Sequence, residues 1–304
     1  MGNVYEDMTV LPRAARGAVL AIGNFDGVHP GHQALIAQAK AQAAARKTRT
    51  AVMTFEPHPR EFFKPDDPPF RLTLLPMKAR LLAALGVDDI FAPPFDAGFA
   101  AQSAAAFMDF LRDRLEPESI VVGADFAFGK GRGGGIDTLR EMFDVTVVKP
   151  VTCPQGAVYS STRIRALLQE GKLQEAAVLL GRPWEVEAEV VHGDKRGREL
   201  GFPTANQQVD RYIRIPYGIY AVRVMVEGWP APRAGVANFG IRPMFKIRRP
   251  IFETHIFDFN GDIYGKDMRV EPVKFLRAER AFDDLDALVR QMKQDCLDAR
   301  AVLK

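Results

Sequence analysis

The chain has 304 residues, 47% of them apolar and 26% charged, and 41 Lys and Arg against 38 Asp and Glu leave a formal net charge of +3. That length accommodates roughly two domains with ordinary hydrophobic cores, and the balanced composition excludes disordered, collagen-like and fibrous classes. The basic excess is small and dispersed, which gives no support to a nucleic-acid surface, and the two cysteines, Cys153 and Cys296, lack the spacing of a disulfide framework or a thiolate zinc site.

No stretch approaches the roughly 18 apolar residues of a membrane span. Glu6 and Asp7 stand where a signal peptide would be basic. A cytoplasmic protein acting on small molecules is the expectation, and composition leaves its oligomeric state open.

In chain order, short apolar runs alternate with amphipathic or Ala-rich stretches: strand-like 18–25, helical 32–45, strand-like 50–55, helical 77–85 and strand-like 89–91. The alternation continues through helical 107–115 and strand-like 119–123 and 145–149, the pattern of a parallel sheet covered by helices. A helical stretch over 162–180, broken at Gly171-Lys172, closes this first domain, placed at residues 1–184. From Glu185 the period changes to two, and strand follows strand: 185–190, 217–226, 251–259 and 268–275. Asn260-Gly261 between the last two predicts a hairpin. Leu285, Leu288, Val289, Met292 and Cys296 predict a terminal helix, with Asp283 and Asp284 at its start. The expected fold class is therefore α/β plus β: a parallel, Rossmann-like α/β domain, then a small antiparallel β-barrel over residues 185–304 with one packed helix.

Gly23-Asn24-Phe25-Asp26-Gly27-Val28-His29-Pro30-Gly31-His32 joins the first strand to the first long helix. Two imidazoles and backbone amides at a helix N-terminus suit a phosphate group. An isolated HxxH more often marks plain turn residues, so the reading depends on its company. Glu56-Pro57-His58-Pro59 ends the second strand-like run, on the side where open α/β sheets bind ligands. Gly123-Ala124-Asp125-Phe126-Ala127-Phe128 ends another, combining a carboxylate with two rings suited to a flat heterocycle. Ser160, Ser161, Thr162 and Arg165 supply hydroxyls and a guanidinium fork at a further helix start, which suits a triphosphate. The stretch 123–130 is not a P-loop, because its spacing is wrong and Gly131 stands where Ser or Thr must follow the lysine; the GxGxxG match at 129–134 lies in a Gly-rich run and is close to chance.

In this order and spacing GNFDGVHPGH, EPHP, GADFAFGKGRGG and SSTRIR resemble the adenylyltransferase module of the bacterial bifunctional riboflavin kinase/FMN adenylyltransferases (FAD synthetases), members of the HxGH nucleotidyltransferase superfamily, over residues 17–183. The resemblance implies that His29 and His32 contact ATP phosphates, that Gly23, Asn24, Phe25 and Asp26 belong to the same nucleotide loop, and that Ser160, Ser161, Thr162 and Arg165 close over the triphosphate. Asp125 and Phe128 would lie in the region holding FMN and adenine, and Pro57, His58 and Gly123 would also be cofactor-binding. The implied reaction is in-line attack of the FMN phosphate on the α-phosphorus of ATP, with no covalent enzyme intermediate. A class I aminoacyl-tRNA synthetase shares the HxGH logic, but the chain lacks a KMSKS-type loop and a basic anticodon domain.

In the second half, Gly201-Phe202-Pro203-Thr204-Ala205-Asn206 offers neutral oxygens two residues apart, able to face one way toward a hard cation and its phosphates. Asn238 to Pro243 reads as a loop, and Glu253 is an acid on an otherwise apolar strand, costly there unless paired or functional. These segments, with PYGIY, ETHIFDF and DIYG, resemble the riboflavin kinase module of the same family over residues 184–300. By that resemblance Gly201, Phe202, Pro203, Thr204 and Asn206 hold ATP, Thr204 and Asn206 ligate its Mg2+, the 193–201 loop covers phosphates, and Glu253 is the general base for the ribityl hydroxyl. The substrates would be ATP, riboflavin and FMN, and the final product FAD. Met244 departs from the family's RPTF, which raises the alternative of a monofunctional FMN adenylyltransferase with a degenerate flavin-binding barrel. His255, two residues after Glu253, shares its strand face and is expected to make a structural hydrogen bond rather than transfer a proton. The basic stretch 246–249 reads as a solvated loop, and neither nucleic acid nor membrane is expected as a partner.

Overall fold

The structure, a computed structural model, describes residues 2–154, 156–193, 200–241 and 250–304. The chain divides into two compact units, residues 2–68 with 75–161, and residues 69–74 with 162–304.

The first unit is built on a six-stranded sheet of β1 (Asn3–Tyr5), β2 (Val19–Ile22), β3 (Thr50–Met53), β4 (Asp89–Phe91), β5 (Ser119–Gly123) and β6 (Val145–Val148), in the order β1-β4-β3-β2-β5-β6 with every pairing parallel. Helix α1 (Pro30–Arg46) follows β2, α2 (Pro59–Phe63) and α3 (Leu75–Ala84) lie between β3 and β4, α4 (Ala97–Ala100) and α5 (Ala104–Phe110) precede β5, and α6 (Ile136–Arg140) precedes β6. Successive strand residues enter opposite cores: Leu20, Ile22, Met53, Ile120 and Val122 pack on one face, and Val19, Ala21, Val52, Ile90 and Val121 on the other. A parallel sheet covered on both faces is the physical reason these strands read as unbroken apolar runs. The sequence reading passed over β1, which is short and largely exposed. Its Asn3 amide reaches Asp89 at 3.0 Å, and Arg49 forks onto the same buried carboxylate at 2.5 and 2.7 Å.

From β2 the chain winds outward through β3 and β4, then returns to the other side of β2 for β5 and β6. The loops after β2 and β5 therefore diverge and leave a crevice at the carboxyl ends of these strands, the usual ligand position in open α/β sheets.

The second unit holds α7 (Ser161–Gln169, apart from Ser161), α8 (Leu173–Leu180), and the antiparallel strands β7 (Val186–Glu189), β8 (Ala205–Gln208), β9 (Gly218–Val226), β10 (Arg233–Ile241), β11 (Pro250–Ile256) and β12 (Asp267–Arg277), followed by α9 (Leu285–Val302). The break expected at Gly171-Lys172 separates α7 from α8, with Gly171 at φ +75°. Strand order is β7-β12-β9-β10-β11-β8, and the two edges meet through a Val191–Asn206 bridge and the Gln207 amide, which donates to the Ala188 carbonyl at 2.6 Å, nearly closing a barrel. Tyr220, Phe239, Phe252, Met268 and Val270 are buried along these strands, and α9 packs on Ala221 and Val236 through Ala299. Asp284 caps α9, accepting from the Ala287 amide at 2.6 Å.

Two expectations are corrected. Asn260-Gly261 does not turn a hairpin, because β11 pairs with β10 and β8 while β12 pairs with β7 and β9. The strand ends at Ile256, Asp258 takes φ +53°, and the long 257–266 connection carries the chain across two intervening strands, so the local signal is overridden by topology. Asn238 to Ile241 belong to β10 rather than a loop. Glycines allow close approach in this strand: a Cβ on Gly235 would lie 2.7 Å from the His255 carbonyl oxygen, and one on Gly240, within the segment read as a loop, would meet the Glu279 carboxylate.

Candidate functional sites

In the first unit, β2 ends at Ile22 and seven residues lead to α1. Two of them, Phe25 (φ +49°) and Val28 (φ +47°), adopt the left-handed region although neither is glycine, at a cost of roughly 1–3 kcal/mol each. Side chains hold alternate carbonyls of this loop. Asn24 O accepts from Lys78 Nζ at 2.8 Å and Thr54 Oγ1 at 3.0 Å, Asp26 O from Ser161 Oγ at 2.8 Å, and Val28 O from Gln33 Nε2 at 3.0 Å. Phe25, Asp26 and Val28 are buried, whereas Asn24 is exposed.

His29 is the N-cap of α1, its Nδ1 accepting from the His32 amide at 3.4 Å, and Pro30 fills the first helical position, where no amide is needed. The two imidazoles stack with centroids 3.7 Å apart and planes 17° from parallel, and Phe25 lies against His32 at 5.3 Å. Gly31 makes room for this: a Cβ there would stand 3.1 Å from the His29 ring and 3.4 Å from Tyr159 Cβ. Both imidazoles thus lie at the start of α1, where the helix dipole favours an anion.

Pro57 follows a cis peptide, and His58 caps α2, its Nδ1 accepting from Arg60 N at 3.1 Å while Glu61 accepts from His58 N at 3.1 Å. Gly123 ends β5, and Asp125 beyond it is exposed. Phe128 is 8% exposed and packs on Phe107 and Phe126 at 5.1 and 5.7 Å; a Cβ on Gly134 would lie 2.7 Å from its ring. Phe128 is therefore chiefly a core residue, and the half-buried Phe126 with Asp125 provides the accessible surface of this segment. Ser160 and Ser161 belong to this unit, whereas Thr162 and Arg165 belong to the second, where the Arg165 guanidinium donates to the Phe70 carbonyl at 2.9 Å and lies 5.0 Å from the Phe70 ring centroid.

In the second unit Gly201 takes φ +83°, and Phe202, Pro203 and Thr204 lead into β8. Glu253 on β11 stands in register between Asn206 on β8 and Asn238 on β10, so the three polar side chains form a row on one sheet face. Asn206 Nδ2 approaches the Thr204 carbonyl at 3.4 Å, and a Cβ on Gly193 would collide with the Asn206 amide at 2.4 Å. His255 makes the structural hydrogen bond expected of it, Nδ1 to the Pro203 carbonyl at 2.9 Å, and its ring meets Phe202 edge-on at 5.6 Å. Met244, the basic stretch 246–249 and most of the 193–201 loop lie outside the described residues.

Sequence reading missed Lys78, Thr54 and Asn238. Lys78 follows Met77 in an amphipathic helix and gives no sign of pointing inward; Asn238 was hidden by Gly240 and Pro243, which made its segment read as a loop.

A family model described as FAD synthetase matches residues 11–163, and one described as riboflavin kinase matches residues 180–303. The bifunctional riboflavin kinase/FMN adenylyltransferase of Escherichia coli (strain K12) is 42% identical over 290 residues, covering 93% of this chain and 92% of that protein. The protein of the same name from Bacillus subtilis (strain 168) is 38% identical over 291 residues, covering 93% and 91%. A crystal structure described as a macrolide-efflux protein from Streptococcus pneumoniae agrees with TM-score 0.80 at 32% identity over 96% of both chains. Among the described residues here, no helix is long and apolar enough to cross a membrane. Two successive family matches that together span nearly the whole chain, and relatives that carry both halves in the same order, place this chain in the family of bifunctional riboflavin kinases/FMN adenylyltransferases.

Proposed function

We propose that the chain carries out two consecutive reactions in separate sites: riboflavin and ATP give FMN in the barrel, and FMN and ATP give FAD and pyrophosphate in the parallel α/β unit. The bifunctional assignment follows from the paired family matches and the relatives. The residue roles below are our reading of the geometry.

Adenylyl transfer rests on one observation above the others, the stacked His29–His32 pair at the N-terminus of α1. Imidazole N–H groups and the helix start would bind the ATP phosphates and take up charge as the FMN phosphate oxygen attacks the α-phosphorus and the bond to pyrophosphate breaks. No protein nucleophile is needed, so positioning and charge stabilisation supply the rate. Gly23, Asn24, Phe25 and Asp26 would form the floor of this site, Ser161, whose hydroxyl holds the Asp26 carbonyl, would close its edge together with Ser160, and Pro57, His58, Gly123, Asp125 and Phe128 would border the flavin or adenine.

In the barrel, Glu253 takes the proton from the ribityl 5′-hydroxyl as the hydroxyl oxygen attacks the γ-phosphorus and the bond from that phosphorus to the β-phosphate oxygen breaks, releasing ADP. Thr204 and Asn206, with Gly201, Phe202 and Pro203, receive MgATP. Among the described residues no three His, Cys, Asp or Glu cluster as a metal cage, and neutral oxygens beside phosphates suit a cation that arrives on the nucleotide. We place the functional division at residues 1–184 and 185–304, with 162–184 a connecting segment, in which the Gln174 amide of α8 donates to the Val273 carbonyl of β12 at 2.6 Å. A cytoplasmic setting and small-molecule partners alone complete the proposal.

The test is chromatography of products from the purified chain with ATP and Mg2+, using riboflavin in one reaction and FMN in the other. FMN and FAD from riboflavin are expected. FAD from FMN with nothing from riboflavin would refute the kinase half.

A further inference from the structure

The α3 helix sends one side chain to a place where the sequence gives no reason to expect a charge. Lys78 is 0% exposed, and its ammonium lies 2.8 Å from the Asn24 carbonyl oxygen and 2.9 Å from Thr54 Oγ1. Thr54 Oγ1 itself donates to Asn24 O at 3.0 Å, so an ammonium and a hydroxyl converge on one backbone oxygen. Thr54 is anchored in turn at the end of β3, its amide bonded to Phe91 O at 2.8 Å. Burying an ammonium is costly, and an apolar side chain would fill the same space without that cost. The position is therefore explained by what the ammonium holds rather than by packing.

We propose that Lys78 is a positioning residue for adenylyl transfer. Its ammonium clamps the Asn24 carbonyl and so keeps the loop between β2 and α1 in the left-handed conformation of Phe25 and Val28 that delivers His29 and His32 to the helix start. Peptide planarity turns the Phe25 N–H to the side opposite the clamped carbonyl, away from Lys78. A hydroxyl anchors the Asp26 carbonyl and an amide the Val28 carbonyl, whereas the donor at Asn24 is charged, and charge-assisted hydrogen bonds are the stronger kind. The strain at Phe25 and Val28 persists only while such anchors over-determine the loop. The proposal rests on the reading that this loop holds the ATP phosphates.

The experiment uses the full chain and its two activities as mutual controls. Lys78→Met keeps the length of the side chain and removes the charge; Thr54→Val removes the neutral donor and keeps Lys78. For Lys78→Met, kcat for FAD formation is expected to fall about 10²-fold with KM for FMN within about threefold, the pattern of a displaced reacting group rather than a lost substrate contact. FMN formation from riboflavin should be unchanged. Thr54→Val should lose about three- to tenfold in the same kcat. If Lys78→Met proves unfolded in its first unit, judged by limited proteolysis, Thr54→Val decides, and an unchanged kcat there overturns the proposal. A folded Lys78→Met enzyme with kcat within about threefold of the parent also overturns it. His32→Ala separates the two levels. If it leaves FAD formation intact, the phosphate-site reading fails; if it is impaired while folded Lys78→Met is not, the role of Lys78 alone fails.

Discussion

Glu253 and Asn206 face each other across the β11–β8 ladder, so the proposed base and the proposed nucleotide ligand are direct cross-strand neighbours. Opposed side chains of an antiparallel pair have Cβ atoms about 5 Å apart. A hydroxyl between them would be within reach of the carboxylate on one side and the phosphates on the other. Replacing Glu253 with Gln keeps shape and removes the base. Riboflavin phosphorylation should drop by about 10²- to 10⁴-fold while FAD formation from supplied FMN continues at the parent rate, both read from product chromatography.

Gly31 gives a test in which stability and activity move apart. Gly31→Ala adds a Cβ 3.1 Å from the His29 ring, which must shift and take the stacked pair with it. Alanine in place of glycine inside a helix is intrinsically favourable by about 1 kcal/mol. FAD formation should fall about tenfold or more without a matching fall in Tm. A parent-like rate would show that the stacked arrangement is not needed.

His255 ties the Pro203 carbonyl one residue before Thr204. His255→Ala should raise KM for ATP in riboflavin phosphorylation by about three- to tenfold and change kcat less, because the lost contact positions the nucleotide segment rather than moving a proton. FAD formation serves as the control. A pure kcat loss would instead favour direct participation in catalysis.

Asp258 and Arg300 join the 257–266 connection to α9 with two contacts of 2.9 Å, and the Arg300 hydrogen bonds hold the Asp258 carboxyl below the ordinary carboxylate range. A depressed folded-state value means the stabilising effect is present above the unfolded carboxylate value of about 3.9 and is lost as pH falls through the lowered value. The pair is exposed, so the effect is small. Thermal melts of the parent and Asp258→Asn should differ near neutrality and converge in acid. A difference that persists below the carboxylate range would assign the effect to something other than this ionisation.

What the sequence by itself determined is whatever depends on nearby residues. The runs at 119–123 and 89–91 match β5 and β4 residue for residue, because a covered parallel sheet buries both faces of its strands and favours apolar side chains there, the Asp89 carboxylate being tolerated through Arg49. The Gly171-Lys172 break, the Asp284 cap and the His29-Pro30-Gly31-His32 helix start were legible for the same reason, since caps and turns are made by groups a few residues apart. Tertiary structure decided the rest. Asn260-Gly261 carries a strong local turn signal, yet strand order is a contest among distant pairings, and β12 found β7 and β9 instead of β11. The row of Asn238, Glu253 and Asn206 arises from ladder register across three strands, and β8 is separated from its partner β11 in the chain by β9 and β10. Lys78 is the sharpest case: a lysine on an amphipathic helix is ordinarily solvated, and only the meeting of α3 with the ends of β2 and β3 supplies the carbonyl and hydroxyl that make its burial tolerable.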